Sequence, residues 1–231
     1  MNQNLDHSIY ADGDALISAT VSEAMDAIQL NLAKKGFCHI ALTGGTLGAK
    51  FSYAFVERLN TVVDLTGLHI WFSDERFERA DSHLRNSLPV RTVLANSSVK
   101  VHEVQSTDDG VNVVEAAAAY EAELRDIFMD ICVLGLGDDG HVASLFPNLW
   151  EPALTSKATP VQDSPKSPRL RVSFSMKFIN QSDQVWIIAI GEAKAKTVTQ
   201  ILDADQSIPA SHVMGAQLTR LLVDREALIT K

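Results

Sequence analysis

The sequence predicts an α/β fold, with helices packed on a mostly parallel central sheet. Three observations carry that expectation. Short, continuous apolar runs of strand length recur along the chain, and such runs fit strands covered on both faces. Longer segments with apolar residues at helical spacing alternate with them, as βαβ units require. The runs also end in glycine-rich or strongly polar loops, where open parallel sheets place their ligands.

The elements follow in order. From Asp14 to Gly36, Leu16, Ile17, Ala24, Met25, Ile28 and Leu32 recur at helical spacing. Lys34 and Lys35 occupy the last predicted turn, and Gly36 suits the stop. Phe37–Leu42 reads as a buried strand, broken by Gly44-Gly45 before a second amphipathic stretch over about Leu47–Leu59. Leu68–Phe72 is the next strand, followed by a polar segment to Arg85 and a helix around Asn86–Leu94. Asn112–Phe128 is an alanine-rich helix, and Ile131–Leu134 is a strand closed by Gly135, Gly137 and Gly140. Later strands are expected at Leu170–Phe174 and Val185–Ile190, with a helix over about Glu192–Leu202. The Ser- and Pro-rich stretch Thr155–Pro168 lies between elements and is expected to be an ordered site loop, so residues 1–231 are expected to form one domain.

Composition narrows the function. The 231 residues are 46% hydrophobic, enough for a full core. A net charge of −9, from 29 acidic and 20 basic residues, argues against a general nucleic-acid role. An anionic substrate would need local cations that overcome this field. Cys38 and Cys132 lie in separate apolar runs, which fits a reducing cytoplasm rather than a disulfide framework. The polar N-terminus lacks a signal-peptide pattern and no window approaches ~18 apolar residues, so neither export nor a membrane span is expected.

Three loops hold the candidate chemistry. Thr43-Gly44-Gly45-Thr46 joins a strand to a helix; its amides could receive an anion, although a plain tight turn fits that loop equally well. It has neither the Walker spacing nor a dinucleotide fingerprint. Ser73-Asp74-Glu75-Arg76 follows the Leu68–Phe72 strand. There Asp74 and Glu75 could orient polar groups and Arg76 could bind phosphate, against the alternative of a surface ion pair. The third loop runs Gly135-Leu136-Gly137-Asp138-Asp139-Gly140-His141-Val142-Ala143-Ser144-Leu145-Phe146-Pro147. Here His141, at a predicted helix start, is the candidate general acid or base and Asp139 its candidate orienting carboxylate. His39, His69 and His102 lack such surroundings and read as structural. Ser144 is not in a nucleophile elbow, and no H-x-x-x-H or C-x-x-C pair offers a metal cage.

Gly135–Pro147 resembles the Gly-Leu-Gly-x-Asp-Gly-His-x-Ala-Ser-Leu-Phe-Pro signature of the 6-phosphogluconolactonase family. The likeness extends over Ala41–Thr46, Ser73–Arg76 with Asp81, Asn86 and Arg91, Ser164–Pro168 with Arg171, and Gly191 with Lys194. The chain departs from that pattern at Thr46-Leu47-Gly48, at Ser73 in place of a usual glycine, and at Asp138 in place of a frequent proline.

The resemblance implies a sugar-phosphate isomerase-like fold, a Rossmann-like three-layer sandwich. It implies hydrolysis of 6-phospho-D-glucono-1,5-lactone in the oxidative pentose phosphate pathway, with neither metal nor cofactor. By the same resemblance His141 matches the catalytic histidine, and Arg76 and Lys166 match residues that hold the phosphate. Asp139 is expected to assist His141, and Gly44, Gly45, Thr46, Asp74, Glu75, Arg76, Lys166 and Arg171 are expected to bind substrate. A monomer or weak homodimer, without nucleic-acid or membrane partners, is expected. An amino-sugar-phosphate isomerase of the same fold would place a catalytic carboxylate after the histidine loop, where Ser144–Pro147 stand here. A non-catalytic sugar-phosphate sensor would have no need for His141 with Asp139.

Overall fold

Ten strands and six α-helices alternate along residues 5–62 and 64–228, the residues described by a computed structural model. The strands are β1 (Leu5–Tyr10), β2 (Cys38–Leu42), β3 (Leu68–Phe72), β4 (Asp74–Arg76), β5 (Lys100–Val101), β6 (Ile131–Gly135), β7 (Ala158–Val161), β8 (Arg171–Phe174), β9 (Gln184–Ala189) and β10 (Leu218–Asp224). The helices are α1 (Gly13–Lys35), α2 (Gly45–Leu59), α3 (Ser87–Val93), α4 (Val113–Glu123), α5 (Met176–Ile179) and α6 (Ala195–Leu202). Among the described residues, seven strands pair in parallel in the order β1-β10-β9-β6-β2-β3-β5.

Alternation along each strand explains the three layers. Ile40, Leu42, Ile131, Val133, Trp186 and Ile188 point to one face, where they pack with Leu16 and Ile28 of α1, Phe51 and Phe55 of α2 and Val90 of α3. Ala41, Cys132, Leu134, Val185 and Ile187 point to the other, where they meet Ala116 and Tyr120 of α4, Phe178 of α5 and Val198 of α6. Local chemistry sets the helix ends. Asp12 caps α1 by accepting from Ala15 N at 2.9 Å, and Gly36, at φ 78°, closes it in the left-handed conformation. Asn112 and Glu115 form a reciprocal capping box on α4.

The structure departs from expectation in four places. β8 leaves the main sheet and pairs antiparallel with β4 and β7, forming a second, three-stranded sheet. The Val172 and Phe174 side chains of β8 are buried on the α4 side of the main sheet. β1 and β10 carry too many polar residues to stand out as apolar runs, yet they complete one side of the main sheet. α4 stops at Glu123, short of Phe128, because Lys157 Nζ donates to the Leu124 and Ile127 carbonyls and fixes a turn there. Finally, no helix starts at His141; residues 136–150 form turns and a single Val142–Leu145 bridge. No helix among the described residues is long and apolar enough to cross a membrane.

Candidate active site

Strand order locates the site. β2 is flanked by β3 on one side and β6 on the other, so the chain leaves β2 toward one edge of the sheet and leaves β6 toward the opposite edge. The loops after these two strands diverge, and such a switch point opens a crevice at the carboxyl ends of the strands. A cavity of about 540 Å³ lies there. Its wall includes Thr43–Gly48, Asp74, Arg76, Gly135–Asp138, His141, Lys166, Arg171 and Lys194. Residues from all three predicted loops therefore meet in one place.

The glycine loop opens α2 without a side-chain cap: Gly44 is the N-cap residue and makes no capping bond. The first-turn amides of α2 thus belong to the cavity wall with no side-chain acceptor of their own, which suits them to an anion. Gly45 adopts φ 76°, a left-handed value that favours glycine. Gly44 is required for another reason, since a Cβ there would lie 2.4–2.7 Å from the Asn86 side-chain amide.

The histidine loop is built around a glycine. Gly135 N donates to Thr43 Oγ1 at 3.1 Å and ties this loop to the glycine loop. Gly137 N donates to the His141 carbonyl at 2.9 Å, closing a tight turn. His141 Nδ1 is hydrogen-bonded to Asp139 Oδ1, and a Cβ on Gly137 would lie only 1.9 Å from that nitrogen. An ionised Asp139 accepts from Nδ1–H, which leaves the lone pair on Nε2. Burial, together with the Lys166 charge, pulls His141 below the ordinary imidazole range, although Asp139 and Asp74 oppose it. Burial pushes the Asp139 carboxyl up, but its bond to His141 and the imidazole's charge outweigh that, so its net direction is downward. The pair is a neutral imidazole beside an oriented carboxylate, the state a general base needs.

The cavity lining is cationic on balance. Lys50, Arg76, Lys166, Arg171 and Lys194 line the cavity against the carboxylates of Asp74 and Asp138, five positive charges against two negative. Arg76 donates Nη1 to the Leu84 carbonyl at 2.6 Å, while its buried Nε has no partner among the described residues. Lys166 is exposed on its loop and makes no ion pair among the described residues. Side chains hold that loop through its backbone: Ser164 Oγ donates to the Lys166 carbonyl at 2.7 Å, and Arg171 Nη2 donates to the same oxygen at 2.9 Å. Lys194, from the 3-10 turn Glu192–Lys194, pairs with Asp138.

The structure places one expected binding residue outside the cavity and ties another into its wall. Glu75 is fully buried and lies outside the cavity wall. Its oxygens accept from the amides of Arg76 and Asn86 at 2.7 Å and of Ser87 at 2.8 Å, so it organises the Arg76 loop rather than meeting a ligand. Arg171 lines the cavity, but its guanidinium is largely spent on the Pro168, Lys166 and Ser167 carbonyls, Ser144 Oγ and Asp74. Asp74 in turn accepts from Ser144 Oγ at 2.7 Å. Gly44, Gly45, Thr46, Asp74, Arg76, Lys166 and His141 stand together on the wall, with Asp139 directly behind His141. Ser144 escaped notice because a serine outside an elbow signals nothing by itself; its contact with Asp74 spans 70 positions of sequence.

A sequence model of the family described as glucosamine-6-phosphate isomerases/6-phosphogluconolactonase matches residues 11–222. The 6-phosphogluconolactonase of Mycobacterium tuberculosis is 32% identical over 238 residues, covering 95% of each chain. That of Streptomyces coelicolor is 30% identical, covering 95% of this chain and 92% of its own. Among solved structures, the 6-phosphogluconolactonase of Thermotoga maritima superposes with a TM-score of 0.82 at 24% identity, covering 96% of this chain and 100% of its own. That of Trypanosoma brucei gives 0.77 at 25% identity, covering 96% of each.

Proposed function

Because the chain belongs to the glucosamine-6-phosphate isomerase/6-phosphogluconolactonase family, we propose that it hydrolyses 6-phospho-D-glucono-1,5-lactone to 6-phospho-D-gluconate, with His141 as general base. The observation that carries this reading is the Asp139–His141 pair at a cavity whose lining is cationic on balance. The cation excess suits a phosphate, and Arg76, Lys166 and the uncapped amides of α2 are its donors. Held there, the phosphate anchors the ring so that its carbonyl carbon faces His141.

The steps follow from the residues. His141 Nε2 accepts a proton from water as the water oxygen bonds to the lactone carbonyl carbon. The carbonyl oxygen takes up the electron pair, and its negative charge develops inside a positively charged wall. As the tetrahedral carbon collapses, the bond to the ring oxygen breaks and His141 returns its proton to that oxygen. The products are a carboxyl group, which ionises, and a hydroxyl. Asp139 holds the imidazole in the tautomer that serves both transfers. No covalent nucleophile or metal is needed for an ester this activated. The isomerase reading is not favoured, because the Val142–Pro147 segment after the histidine carries no carboxylate.

Titrating the acid released from freshly prepared lactone tests the reading. Release well above the spontaneous rate, unchanged by exhaustive chelation, is expected. Absence of acceleration overturns the activity. Loss with EDTA that a divalent ion restores overturns the metal-free mechanism.

A further inference from the structure

Two carboxylates line the cavity, and they differ in what they meet. Asp74 is 4% exposed and already engaged by the Ser144 hydroxyl and the Arg171 guanidinium. The Asp138 side chain is 63% exposed and pairs with Lys194, whose side chain is 22% exposed. Asp138 is thus the carboxylate that an incoming or departing ligand encounters. It stays charged, since the bond to Lys194, reinforced by the charges of Lys194 and Lys166, holds its carboxyl below the usual range. It also stands three positions before His141 in the same turn, and both residues line the cavity.

The lactone chemistry proposed above makes this position consequential. Ring opening turns a neutral ester into a carboxylate, so the product carries one more negative charge than the substrate, and that charge appears where His141 acts. A carboxylate on the adjacent wall repels it. The same carboxylate competes with any anionic ligand for the Lys194 ammonium. Both effects weaken anion retention, and the first acts on the product alone.

We propose that Asp138 is a specificity-determining residue that favours departure of the acid product, by engaging Lys194 and repelling the carboxylate that hydrolysis creates. The proposal rests on the lactonase reading. The test is Asp138→Asn, with product inhibition by 6-phospho-D-gluconate and KM for the lactone measured on the same preparations, and Asp138→Ser as a second variant should the first fold poorly. The inhibition constant is expected to fall roughly three- to tenfold, as expected for an exposed pair plus one like-charge repulsion. KM should fall by less. An unchanged inhibition constant overturns the proposal. So does a raised one, which would mean that Asp138 positions Lys194 for the ligand. Equal falls in both constants also overturn it, because they show uniform attraction without discrimination. Calorimetric binding of 6-phospho-D-gluconate to both proteins separates this failure from failure of the lactonase reading: wild type that releases no acid from the lactone rejects that reading, while the two binding constants still report what Asp138 does.

Discussion

His141 is a base because of what surrounds it. Burial keeps the ring neutral, Asp139 sets the tautomer, and the absence of a side chain at Gly137 leaves room for both. Replacing His141 with Ala is expected to lower kcat by ~10²–10⁴ with little change in KM, because the phosphate contacts are elsewhere. Wild-type kcat/KM should fall on the acid side as the imidazole protonates. Its lowered pKa moves that limb below the ordinary histidine value of about 6.5, and the limb should vanish in the variant. A stable His141→Ala protein that keeps kcat within a few-fold of wild type would remove the residue from the mechanism. Gly137→Ala should behave like a milder His141 variant, since its Cβ must displace the ring while the phosphate donors stay in place. A normal kcat there would show that the turn relaxes without moving the base. Arg76→Ala is expected to raise KM for the phosphorylated lactone by roughly 30- to 150-fold, as for loss of a desolvated charged contact of ~2–3 kcal/mol, and Lys166→Ala, which removes an exposed charge, to raise it by less. Neither variant should alter KM for the unphosphorylated lactone, and a shift there would remove both residues from the phosphate site.

At the scale of elements, the glycine loop that opens α2 differs from the start of α4 on the other face of the sheet. α4 is capped by its own side chains, whereas α2 begins at glycines and leaves its first amides for a ligand. His39 on β2, His69 on β3 and His102 just beyond β5 form a row that the sequence presents only as scattered histidines. Trp71 Nε1 donates to His39 Nδ1 at 3.0 Å, His69 Nδ1 meets His102 Nε2 at 2.9 Å, and the Trp71 and His102 rings stack at 3.8 Å. Burial lowers all three, taking His39 down to about 4, with Lys35, Asp130, Lys100 and Glu123 as the neighbouring charges. Each ring is therefore neutral in the folded chain at pH values where the unfolded chain already binds a proton. The stability they confer is complete above about pH 6.5 and is lost progressively as the pH falls toward 4. Thermal melts should show a Tm that drops by several degrees between pH 7 and pH 5, equivalent to about 1–3 kcal/mol. His39→Gln together with His69→Gln and His102→Gln should flatten that slope. An unchanged slope in the triple variant would assign the acid sensitivity elsewhere.

Across the whole molecule, charge is distributed against its average. The chain carries −9, yet the cavity wall carries five cations and two carboxylates. An anionic substrate is thus attracted locally while the rest of the surface repels it. Salt screens both contributions at long range and weakens the local attraction at the exposed Lys166 most. KM for the phosphorylated lactone should rise between low and physiological ionic strength, and the rise should be smaller in Lys166→Ala. A KM independent of salt would mean that substrate binding is governed by shape and hydrogen bonds alone.

Much of this was legible in the chain itself. The apolar runs Cys38–Leu42, Leu68–Phe72 and Ile131–Leu134 specify central strands because residues covered on both faces are mostly apolar, His39 and His69 being the exceptions. Glycines mark the turns after the first and third of these runs, where a Cβ at Gly44 or Gly137 would crowd the Asn86 amide or the His141 ring. The Gly135–Pro147 segment carries the family likeness because it holds the Asp139–His141 pair and the Gly137–His141 turn that positions it. Tertiary structure alone decided the rest. It placed β1 and β10 side by side, moved β8 into a second sheet, and put the carboxylate of Glu75 beneath the site while Asp74 stays on its wall. It also joined Ser144 to Asp74 and Lys194 to Asp138. Those outcomes depend on groups far apart in sequence, and at Glu75 and the Ser144–Asp74 contact buried polar atoms must find partners once the sheet has closed around them.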